Sequence, residues 1–122
     1  MVLWEVLILF IRLYVTAQNE KEAKVTLKAV LEKIKQIVIR INVEKVEPYW
    51  KFNDMYVIEL NLIVKKELNP SQLKRLLESI ADKWSCYGEP INEFLASKTT
   101  KGCNYILKGV EMINIYLDED YI

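Results

Sequence analysis

The strongest nucleophiles in this chain are Cys86 and Cys103, and no histidine stands near either because the sequence contains none. A thiolate needs a base or a positive environment to lower its pKa. Nothing around Cys86 supplies one, so a packed thiol is its expected state. The missing histidine also removes the commonest general base and the commonest transition-metal ligand. Two cysteines are too few for a zinc ligand set or a disulfide framework, and two reduced thiols are expected instead. There is no Gly-rich phosphate loop and no Gly-x-Ser-x-Gly elbow. The chain is therefore expected to carry no catalytic centre, no metal and no cofactor.

What remains is chemistry of recognition. Glu44 to Lys51 reads EKVEPYWK, which sets Tyr49 and Trp50 beside the carboxylates of Glu44 and Glu47. Aromatics flanked by acids match the composition of protein-binding hot spots. Asp118, Glu119 and Asp120, followed by Tyr121, repeat that chemistry near the C-terminus. Two readings stand for Trp50: an exposed contact residue, or a ring packed under its own loop. Pro48 suits an edge or bulge position in a strand.

These residues must be held by regular elements. Residues 3–15 are rich in β-branched and aromatic types without Gly or Pro, which suits a central strand. Asn19 with Glu22 predicts a capping box, and Ala23, Leu27, Val30, Leu31 and Ile34 then recur along one helical stripe. From Ile37 the period drops to two, with Ile37, Ile39, Ile41 and Val43 on one side of a strand that runs to about Trp50. Phe52-Asn53-Asp54 supplies a turn, and Tyr56 to Val64 alternates again, so the two strands predict a long hairpin. Asn69-Pro70-Ser71-Gln72 predicts a helix start, with Asn69 as the cap, ahead of Leu73, Leu76, Leu77, Ile80, Ala81 and Trp84. Between residues 86 and 109, Gly88, Pro90, Gly102 and Gly109 punctuate a stretch whose elements stay open, Ile91–Ser97 being compatible with a short helix and Cys103–Leu107 with a short strand. Val110–Asp118 alternates as a last strand.

The order strand-helix-strand-strand-helix-strand predicts one α+β domain over residues 1–122. Its expected form is the ferredoxin-like βαββαβ sandwich, a four-stranded antiparallel sheet with both helices on one face. Leu7, Leu9, Ile11 and Leu13 would meet the helices. Trp4, Ile8, Phe10, Arg12 and Tyr14 would point to the open side, joined by Val57, Ile63, Met112 and Tyr116. That makes the centre of the open side apolar, the mark of an interface or of a covered face. Either residues 86–109 fold back across it, or two copies pair there as a homodimer, or a foreign partner binds.

Bulk properties narrow the partner. Lys plus Arg equals Asp plus Glu at 17 each, so no global basic field draws in nucleic acid or an anionic membrane. The third strand, Tyr56 to Asn61, lacks the basic and glycine-aromatic signature of RNA-recognition domains. Thr16-Ala17-Gln18-Asn19 has no Gly or Arg with which to cradle an anion, against an acylphosphatase-like enzyme. The apolar run from Val2 to Val15 lacks a basic leader, is broken by Glu5 and Arg12, and is too short to span a bilayer. A mature, uncleaved strand in a cytoplasmic protein is the expectation.

Trp4-Glu5-Val6, Pro48-Tyr49-Trp50-Lys51, and Asp82-Lys83-Trp84 with Gly88 beyond them resemble small bacterial immunity proteins, which neutralise polymorphic or contact-dependent growth inhibition toxins. The resemblance spans most of the chain as a pattern. It implies a cytosolic, non-enzymatic inhibitor that occludes a toxin's active or substrate-binding face, often with acidic residues where the toxin is a basic nuclease. On that reading Glu44, Glu47, Tyr49, Trp50, Asp118, Glu119 and Asp120 are the candidate contacts. The even charge balance departs from strongly acidic inhibitors. Without the resemblance, a homodimeric ligand-binding or regulatory domain is the alternative.

Overall fold

Val6–Thr16, free of Gly and Pro, forms strand β1 in the computed structural model of the chain, with a neighbouring strand on each side. The structure describes residues 6–65, 70–89 and 91–118. After β1 come α1 (Glu20–Ile34), a single 3-10 turn (Lys35–Ile37), β2 (Val38–Pro48), β3 (Met55–Lys65), α2 (Pro70–Ile80), β4 (Ser85–Tyr87), β5 (Glu93–Ser97) and β6 (Val110–Asp118). Every pairing is antiparallel, in the order β2-β3-β1-β6-β5-β4.

The sheet thus has six strands, which corrects the expected four-stranded ferredoxin-like arrangement; the α+β class stands. The difference comes from residues 85–97. Ile91–Ser97, which the sequence leaves open, contains the strand Glu93–Ser97, which pairs with β6 on one side and β4 on the other. So short a segment gains little from helix nucleation, whereas pairing satisfies the otherwise open edge of β6. These residues therefore widen the sheet rather than folding across its open face. Cys103–Leu107, also left open by the sequence, contributes one isolated bridge, Ile106 opposite Ala81.

Both helices pack on one face of the sheet. Leu9, Ile11, Leu13 and Val15 from β1 meet Ile58, Leu60, Leu62 and Val64 from β3, with Ile113 and Ile115 from β6, in one buried cluster. Each such side chain contributes about 1.5–3 kcal/mol by leaving water. α1 buries Ala23, Leu27, Val30 and Ile34 against this layer, and α2 buries Leu76, Leu77 and Ile80. The start of α1 is capped as predicted, with Asn19 Oδ1 accepting from the Glu22 backbone N–H at 2.9 Å. The Glu22 carboxylate accepts from the Gln18 N–H at 2.8 Å. The predicted cap of α2, Asn69, lies outside the described residues, as does Trp4. At the other end of α2, Trp84 Nε1 donates to the carbonyls of Leu77 and Ala81, each at 2.9 Å, sharing the Leu77 carbonyl with the Ala81 N–H at 3.1 Å, so the ring closes over the last turn of the helix.

The β2–β3 hairpin is present as expected, but β2 is an edge strand and its register shifts twice, between Val38 and Arg40 and between Val43 and Lys45. Gly109, with φ +90°, enters β6 so close to α1 that a Cβ there would lie 2.7 Å from Thr26 Oγ1. Across the first and last strands, Ile8 lies opposite Asp118.

Candidate functional site

The open face is built by the side chains that alternate with the core. On β1 these are Ile8, Phe10, Arg12 and Tyr14, and the register sets Arg12 between Glu59 of β3 and Asn114 of β6. Arg12 Nε bonds Glu59 Oε2 at 2.7 Å. Lys45 Nζ approaches the other Glu59 oxygen at 3.7 Å and Glu47 Oε1 at 3.5 Å. Burial works to lower the Arg12 pKa, but the bond to Glu59 and its charge outweigh it, so the guanidinium pKa is raised. Glu44 Oε1 accepts from Asn61 Nδ2 at 2.6 Å, and Glu93 Oε2 accepts from Asn114 Nδ2 at 2.9 Å.

The centre of this face is therefore ionic, which corrects the expected apolar centre. The apolar members sit to either side of it: Phe10 beside Tyr116 in one direction along β1, Tyr14 beside Val57 in the other. A shallow depression of about 220 Å³ lies between Phe10, Arg12, Glu44, Glu59, Asn114 and Tyr116. Alternation along β1 reveals which residues share a side; it does not reveal that β3 and β2 bring Glu59 and Lys45 to the same spot.

At the turn end of the hairpin, Tyr49 packs edge-on against Tyr14, ring centroids 5.1 Å apart. Trp50 and Phe52 lean on Tyr49 at 5.9 Å and 6.0 Å. The Tyr49 backbone is fixed by its N–H bond to the Met55 carbonyl at 2.9 Å. Tyr49 is thus half-buried, and Trp50 is 86% exposed. Of the two readings for Trp50, the ring under its own loop is excluded: Tyr49 takes that role and holds Trp50 outward. Phe52, read from sequence as turn chemistry only, is the third member of the group.

The structure brings Glu47, Tyr49 and Trp50 to one end of the open face, with Glu44 nearer its centre. It does not bring Asp118 to them. Asp118 lies opposite Ile8, six residues along β1 from Tyr14, which is roughly 20 Å at strand rise. Glu119 and Asp120 lie outside the described residues. Of the C-terminal candidates, Asp118 alone is placed, and its position on β6 lies apart from the Glu47–Trp50 group.

Cys86, expected as a packed thiol, is exposed on β4, and Cys103 is partly buried; both are free. Burial foremost, then the charge of Asp82, pushes the Cys103 thiol pKa up, which makes it a poorer nucleophile. Asp82 is held below the usual 3.8 foremost by the backbone of Tyr105, with desolvation working against it, and then by Asn104, whose N–H reaches both carboxylate oxygens at 3.0 and 3.2 Å. On the helix side, a cleft of about 670 Å³ opens between α2 and the outer strands, lined by Leu73, Leu77, Trp84, Cys86, Phe94 and Leu117. No group of three or more potential metal ligands occurs among the described residues.

Fold and face together define a small α+β protein with an ionic open sheet surface that ends in an aromatic tip. No protein-family model, curated protein or solved structure matches the chain. Among the described residues no helix is long and apolar enough to cross a membrane.

Proposed function

We propose that this chain is an immunity protein, a cytosolic and non-enzymatic inhibitor that binds a cognate toxin domain and occludes its active or substrate-binding face. The observation that carries this reading is Trp50. A ring 86% exposed to water and braced by Tyr49 presents a large apolar surface at low conformational cost, which is the property of an interface anchor. Glu47 and Glu44 lie on the same side of the sheet and would meet basic groups on the partner, the chemistry expected of a nuclease toxin.

Co-expression with the toxic C-terminal region encoded by a large neighbouring gene tests the proposal, read by native mass of the complex and by toxin activity. A stoichiometric complex in which the toxin is silent supports it. The double variant Trp50→Ala/Glu47→Ala should then lose binding while its melting temperature stays near that of the parent. A toxin that remains active at saturating inhibitor overturns it.

A second reading, a homodimeric ligand-binding or regulatory domain, draws support from the α2 cleft, whose volume of about 670 Å³ falls in the range of small-molecule sites. The ion-paired centre of the open face works against apolar self-association there. A melting temperature raised by an apolar ligand would favour this reading.

A further inference from the structure

We propose that two copies of this chain pair in antiparallel fashion along the free edge of β2, about a two-fold axis at Asn42. Among the described residues β2 has one neighbour, β3, and no strand pairs with its outer edge. Ile39, Ile41 and Val43 are 41%, 45% and 42% exposed there, an unusual display of β-branched side chains on a strand edge that proteins ordinarily blunt. Blunting is present, but only at the flanks: one register shift precedes Arg40 and another follows Val43, where Lys45 and Pro48 also stand. Between the shifts lies a short regular window, Arg40–Val43, and together with Glu44, which stands at the second shift, its side chains are self-complementary.

Ile41 and Val43 face the helix side, opposite Leu62 and Leu60; Arg40 and Asn42 face the open side, opposite Ile63 and Asn61. Glu44 also reaches the open side, since it bonds Asn61. Pairing about Asn42 sets Ile41 against Val43 of the second copy on one face and Arg40 against its Glu44 on the other, each twice by symmetry. A slip of one residue matches Ile41 with Asn42 on opposite faces. Moving the axis to Ile41 loses both charge pairs, and moving it to Val43 sets Ile41 against Lys45. The charges therefore select one register. Arg40 is exposed and has no ion pair among the described residues, so the contact would give it one.

The test is the mass of the full chain in solution across a broad concentration range, by light scattering and sedimentation. The wild type is expected to show a monomer–dimer equilibrium. Arg40→Glu and Glu44→Arg each set like charges in apposition and should weaken self-association roughly tenfold. An equimolar mixture of the two variants restores opposite charges at both pairs and should dimerise again. A wild type that stays monomeric overturns the proposal, and so does a dimer indifferent to both substitutions or not regained in the mixture. Should Glu44→Arg unfold through loss of the Asn61 bond, Asn42→Cys in a Cys86→Ser/Cys103→Ser background decides: diamide should cross-link it to a covalent dimer and leave an Asn53→Cys control uncrosslinked. Equal cross-linking of the two, or none of Asn42→Cys, sinks the proposal.

Discussion

Leu13, Ile58 and Ile113 form a row across the three middle strands on the helix side, and one residue away along the same strands Arg12, Glu59 and Asn114 form a row on the open side. The first row is fully buried and holds the sheet to the helices. The second is wet: the Arg12 and Glu59 side chains are 54% and 27% exposed. The same backbone ladder supports both, so the difference lies in what covers them. Stability resides in the covered row, and the uncovered one is left available for contact.

The sharpest way to break this contrast is to truncate one member of each row. Leu13→Ala should lower unfolding free energy by about 2–5 kcal/mol, through lost burial and the cavity left behind. Chemical denaturation measures it, and a loss no greater than that of Arg12→Ala would erase the distinction. Gly109→Ala tests how tightly the covered side is closed. Its positive φ and the approach to Thr26 should together cost about 1–3 kcal/mol. Thr26→Ala in the same chain should return the steric part of that loss and leave the backbone part.

On the uncovered side, Arg12→Ala should cost less than about 1 kcal/mol, because an ion pair this exposed is offset by hydration and side-chain entropy. That cost should shrink further as salt is raised. Trp50→Ala/Glu47→Ala should shift stability within about 0.5 kcal/mol, and a larger drop in melting temperature would move Trp50 to the covered side of the comparison. The smallest effect belongs to Asp82. Its carboxylate titrates lower in the folded chain than the usual 3.8, so its contribution is present above the unfolded value and is lost as pH falls through the folded one. Acid unfolding of Asp82→Asn should have a shallower slope in that window than the parent.

Much of the covered side was legible in the sequence. Val110–Asp118 was read with the bounds that β6 has, and the stripe Ala23, Leu27, Val30 and Ile34 is the one that α1 buries. Periodicity reports a face well when one side is dry and the other wet. β5 defeated it because its five residues are nearly all half-buried, so no alternation of burial selects a period, and because its partner β6 comes later in the chain. The centre of the open face was misread for a related reason. Arg12 was placed on the correct side, but Glu59 and Lys45 reach it only through strand register, a long-range property. Tyr49 and Trp50 are adjacent in sequence and opposite in exposure, and the contact that separates them, Tyr14 with Tyr49, joins residues far apart in the chain.

The position of Ile8 opposite Asp118 gives the molecule a mechanical direction. In an antiparallel ladder the hydrogen bonds run perpendicular to the strands. A force that pulls these two residues apart lies along those bonds and meets them in succession, so β6 peels from β1 as a zipper does. A force applied between Val6 and Met55, at opposite ends of the β1–β3 ladder, loads all of its bonds together in shear. Tethered at the first pair of points the sheet opens softly, and at the second it resists as a unit.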